Sequence, residues 1–173
     1  MTKNRALGAD DPSLVKRSSV GHFNDGYDAA IPLFERALRI AESAPTRRHE
    51  LIGKTLLGLA IAKRDAGATN VAIELLERAL THQKTAFGDR HASVARVLSE
   101  LASIRMTLLQ PKRARSLLRE AVAIVEEKQL GGQASGGAIL VRDAIRLADE
   151  GDFEEAENRL ASVLENSVAA FGP

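Results

Sequence analysis

Apolar residues along this chain recur on two scales. Within short segments they fall at helical intervals, and the segments themselves return every 42 residues. Ala30, Ala72, Ala114 and Ala156 each open one such segment; Phe34, Leu76, Leu118 and Leu160 follow four residues later, and Ala37, Ala79, Ala121 and Val163 three after that. Small, large, small at steps of four and three marks one face of a helix. FERALRIAE, LERALTHQK and LREAVAIVE are thus versions of one element, and the alanines mark places where helices approach closely. A second helix is predicted before each. Its Leu59-Ala60 returns as Leu101-Ala102, but the fourth copy reads Asp143-Ala144, with a charge at an apolar position.

Short turns separate the two helices of a unit. Gly67 and Gly151 stand two periods apart and suit a left-handed helix stop, whereas Leu109 occupies the same place in the third unit and Pro111 follows in a first-turn position. Asp152 and Glu155 are spaced as a capping box. Between units, AFGDRH at 86–91 is echoed by AFGP at 170–173, by LGADDPSLV from Leu7, and by Leu130-Gly131 displaced by one residue. The first unit is about one helical turn short, as terminal repeats often are. These boundaries predict an irregular segment, 1–10, and one all-α solenoid, 11–173, of about four helix pairs near 11–44, 45–88, 89–131 and 132–173.

Composition narrows the function classes. Twenty-four Lys and Arg against 23 Asp and Glu leave a net charge of +1, and aromatics are 3% with no Trp, so neither phosphate attraction nor base stacking argues for nucleic acid. The absence of cysteine excludes disulfides, thiolate metal sites and a thiol nucleophile. The opening MTKNRALGADDPS has no apolar h-region and no stretch approaches a membrane span, so a soluble, cytoplasmic chain is expected.

Paired helices with Leu-Ala, Gly, Ala and Ala at these places resemble tetratricopeptide repeats. The 42-residue period and the loop Gly88-Asp89-Arg90-His91 resemble the kinesin-light-chain type. The resemblance runs from about residue 8 to 173 and implies a right-handed superhelix of antiparallel helix pairs. Its first helices would line a concave groove that holds a peptide or partner protein. One departure stands out: where that type often carries paired asparagines that grip peptide backbone, this chain has Leu57-Gly58, Ser99-Glu100 and Val141-Arg142.

Candidate chemistry is sparse. His22, His49, His82 and His91 lack metal-ligand spacing, and His49 and His91 fall one period apart, which favours a structural place near a helix start. The glycines at 131, 132, 136 and 137 form no phosphate-loop motif, and DEGDFEEAE at 149–157 reads as a solvated turn. No nucleophile, base and orienting group assemble, so no enzyme, cofactor or metal is expected. On the first helices, Lys54, Leu57, Ile61 and Arg64 share a face beside the core stripe. One period on stand Arg96, Ser99, Ser103 and Met106, then Ala138, Val141, Ile145 and Ala148. This graded surface suits an acidic or amphipathic peptide. Two other surfaces compete: a basic strip of Lys112, Arg115 and Arg119 on the convex side, and Leu160, Val163, Leu164 and Val168 on the last helix, which favour a homo-oligomer.

Overall fold

The computed structural model describes residues 29–43, 48–128, 130 and 133–171. Among them are seven helices and no strand. The first occupies 29–43 (α1), followed by α2 (His49–Asp65), α3 (Thr69–Phe87), α4 (Ala92–Thr107), α5 (Pro111–Glu127), α6 (Ala134–Asp149) and α7 (Phe153–Phe171). The loop copy at Leu7, His22, Gly131, Gly132 and Gly172-Pro173 lie outside the described residues.

Packing follows the repeat. α2 lies mainly on α3, α4 on α5 and α6 on α7; α3 on α4 and α5 on α6 join successive pairs, and α4 also touches α6. The small, large, small stripe does what its spacing predicts in the inner units, where Ala72, Leu76, Ala79, Ala114, Leu118 and Ala121 are all buried. Burying a leucine completely stabilises by roughly 1.5–3 kcal/mol, so the repeated stripe supplies much of the cohesion. Leu80 and Leu117 pack against both of the chain's apolar clusters and make the core continuous from unit to unit. α1 meets α2 through Phe34, whose ring would lie 2.6 Å from a Cβ at residue 58, so any side chain larger than that of Gly58 would force the ring to move.

The outer helices depart from the stripe. In α1, Ala37 is exposed while Leu38 and Ala41 are buried, and in α7 Leu160 is exposed. An inner second helix is covered both by its own first helix and by the following unit. The described residues supply only one of those neighbours to α1 and to α7.

The three turns inside units share one hydrogen-bond pattern. Gly67 donates to the Arg64 carbonyl and Ala68 to Lys63; Leu109 donates to Met106 and Gln110 to Arg105; Gly151 donates to Ala148 and Asp152 to Leu147. Each helix stop needs a left-handed residue, and φ is +84° at Gly67, +86° at Gly151 and +55° at Leu109. The third unit therefore keeps the turn and replaces only the residue that makes it easy.

Candidate partner-binding groove

The first helices α2, α4 and α6 carry the surface singled out from periodicity. Two of its positions are closed. Leu57 is 7% exposed within the first apolar cluster, and Ser99 is 1% exposed with its hydroxyl accepting from the Arg142 guanidinium. Each first helix packs on its own partner helix and borders the neighbouring first helices, so its open arc is narrower than a single helical projection suggests. Arg96, Met106, Ile145 and Ala138 remain exposed, while Ile61, Ser103, Val141 and Ala148 are half-buried.

The basic positions are also partly committed. Lys54 is exposed but paired with Glu50 one turn earlier, at 2.5 Å. Arg64 donates to Asp65 at 2.8 Å and reaches across to Glu100 on α4 at 2.6 Å. Burial works against the Arg64 charge, but the Asp65 hydrogen bond and the charges of Glu100 and Asp65 outweigh it and raise its pKa. The other Glu100 oxygen lies 3.7 Å from Arg142 of α6. Glu100 thus links α2, α4 and α6. Gly58, Glu100 and Arg142 occupy the same repeat position, so where the resemblance implies asparagines that hold a ligand, this chain builds a bridge between its own helices. Among the described residues, Arg96 has no ion-pair partner.

Two hollows lie along this face. One, of about 540 Å³, sits between α4 and α6 and is bordered by Arg96, Ser99, Glu100, Gln133, Ser135 and Arg142. The next, of about 230 Å³, is lined mainly by apolar groups, including Met106, Leu118 and Ile145, together with Arg142, Arg146 and Asp149. A hollow in which Arg142 engages Glu100 while Arg96 carries the unpaired charge therefore adjoins an apolar one.

Behind the groove, the charge at the apolar repeat position proves to be buried. Asp143, 3% exposed, accepts from Arg146 Nε at 3.0 Å and lies 3.4 Å from Arg159 Nε of α7. Arg146 also reaches Glu150 at 2.6 Å, and Arg115 of α5 meets the other Glu150 oxygen at 2.6 Å. Burial opposes the Arg146 charge, but Asp143 and Glu150 outweigh it and raise its pKa. Burial likewise works against ionisation of Glu150, and the Arg146 and Arg115 hydrogen bonds overcome it and hold that carboxyl below its usual range. Arg115 is therefore not part of a free convex strip; Lys112 and Arg119 are exposed.

These ties were hidden from a search for local charge patterns. They nevertheless have a sequence signal. Glu42–Arg78, Arg64–Glu100 and Lys84–Glu120 all span 36 residues, and Glu35–Lys63 and Glu77–Arg105 span 28. Opposite charges recurring at a fixed offset from the repeat would have revealed them.

The histidines take structural places. His91 caps α4, its Nδ1 accepting from the Ser93 N–H at 3.2 Å, and its ring stacks on Phe87 at 4.3 Å. His49, one period earlier, instead shares a hydrogen bond with His82, Nδ1 to Nδ1, at 2.9 Å. Among the described residues no three His, Asp or Glu gather in a metal-binding arrangement, and no helix is long and apolar enough to cross a membrane.

The architecture defines the class as an all-α helical-repeat solenoid. A family model for the tetratricopeptide repeat matches residues 22–85. More particularly, the chain is similar to tetratricopeptide-repeat proteins of the kinesin-light-chain-like type. It is 23% identical over 145 residues to Protein KINESIN LIGHT CHAIN-RELATED 1 of Arabidopsis thaliana; the match takes in 83% of this chain and 24% of that protein, about a quarter of its length. Among solved structures, BtubC (BKLC) from P. vanneervenii superposes with a TM-score of 0.68 at 20% identity, covering 92% of this chain and 63% of that one. The TPR-like repeats of a Podosopora anserina kinesin light chain protein give 0.67 at 22% identity, covering 91% and 76%.

Proposed function

We propose that this chain is a noncatalytic protein-interaction module that holds a peptide segment or partner protein across α2, α4 and α6. The observation that carries the reading is the adjacency of the Arg96 hollow to the apolar hollow at Met106 and Ile145. An extended segment with a carboxylate side chain followed by an apolar one fits that order, the charge orienting it and the apolar group supplying buried area. Arg64 and Arg142 brace the groove, so Arg96 is the cation left to meet the ligand. A cysteine-free fold of this kind suits a cytoplasmic setting, and the reading treats 11–173 as one solenoid.

The test is selection from a random peptide library displayed on phage, followed by fluorescence anisotropy of the recovered peptides. Arg96→Glu should weaken binding about tenfold or more, with an effect that shrinks as salt is raised. Ile145→Ser should weaken it with little salt dependence. Peptides that bind both variants like the wild type, and are lost on charge reversal at Lys112 and Arg119, would move the site to the convex side.

A further inference from the structure

Leu109 is the residue that the fold explains least. It holds a left-handed backbone, φ +55°, at a place where the two equivalent turns use glycine, and its side chain is 88% exposed. A conformation that disfavours a side chain is thus combined with an apolar group that packs on little among the described residues. Leu108 beside it is exposed as well, and Lys112 and Arg113 follow, exposed and with no ion-pair partner among the described residues. The α4–α5 turn is an apolar knob set beside two unspent positive charges.

A surface of complementary character lies on α7. Leu38, Leu80, Val122 and Leu164 occupy one repeat position; the first three pack into the core, Val122 at 6% exposure, whereas Leu164 is 65% exposed. Glu42, Lys84, Glu126 and Val168 form a second series. Its three charged members each pair with the next second helix, at Arg78, Glu120 and Arg159, and the fourth is an exposed valine. With Leu160 these residues make an apolar face, and Glu154, Glu157 and Glu165 beside it are exposed and have no ion-pair partner among the described residues. Residues 134–173 carry three basic and eight acidic side chains, so this end of the chain is acidic while the turn is basic.

We propose that the α4–α5 turn docks on the outer face of α7 of a second copy of this chain, Leu109 entering the apolar face while Lys112 and Arg113 meet its glutamates. The two surfaces differ, so the contact is heterologous: each copy that joins leaves one surface of each kind open, and association propagates head to tail. Neither Arg96 nor Ile145 takes part, and the groove reading stands or falls separately.

Sedimentation equilibrium of the full chain tests the proposal. Weight-average mass should climb with concentration and fall back when salt screens the charges. Lys112→Glu with Arg113→Glu, and separately Glu154→Lys with Glu157→Lys, should each leave a monomer, and an equimolar mixture of the two variants should associate. Leu109→Gly should raise the thermal midpoint by about 2–4 °C while weakening association about tenfold. That combination separates docking from damage to the fold. A wild type that stays monomeric throughout overturns the proposal. So does an isologous dimer that is lost with Leu164→Ser but indifferent to Leu109→Gly and to both charge reversals.

Discussion

At the scale of single residues, the informative positions are those where the repeat is broken. Leu109 bears a left-handed φ at the cost of a Cβ clash that Gly67 and Gly151 avoid. Because its side chain is exposed, Leu109→Gly removes strain without opening a cavity and should stabilise the chain by about 1 kcal/mol, read as a higher urea midpoint at unchanged slope. Asp143 is the opposite case. Its carboxylate is buried between Arg146 and Arg159, so Asp143→Ala leaves buried positive charge and should cost about 3 kcal/mol. Asp143→Leu combined with Arg146→Met removes both partners and should recover most of that loss in the same denaturation assay. Periodicity flags both positions from the sequence, but only as departures. What Asp143 does depends on Arg159, which approaches it only when α7 folds back over α6.

Between elements, cohesion comes from alanines that let helices close together and from charges that tie one unit to the next. Ala114 is fully enclosed, so Ala114→Leu should overpack the helix pair and lower stability by about 1–3 kcal/mol in chemical denaturation. The charge ties make the molecule sensitive to acid. Glu150, despite some opposing burial, is held below its ordinary value of 4.5 by Arg146 and Arg115. Glu127 is lowered chiefly by the Arg90 hydrogen bond, with Lys128 adding to it. A carboxyl whose folded pKa is depressed contributes its full stability above the unfolded value and loses it as pH falls through the folded one. The thermal midpoint should therefore decline as pH drops below about 4.5, and Glu150→Gln should flatten that decline. Helix pairing was legible in advance because burial repeats every 42 residues. The closure of Leu57 and Ser99 was not, since a single helix cannot reveal that its flank is taken by the next unit's first helix.

For the whole molecule, the arrangement is nearly one-dimensional, each unit resting on its neighbours. The bond pattern from Arg64 through Glu100 to Arg142 runs along that dimension, on the side where the first helices lie. Mechanically it is a set of cross-ties along one edge of the stack of units. Such ties limit the angles between successive units, and releasing them lets those angles open. Glu100→Gln should accordingly leave the helix content seen by circular dichroism intact while lengthening the particle seen by small-angle scattering, a change that high salt should mimic in the wild type. The same ties make relative unit orientation depend on charge, because protonating or neutralising Glu100 frees Arg64 and Arg142 together and slackens two successive joints at once.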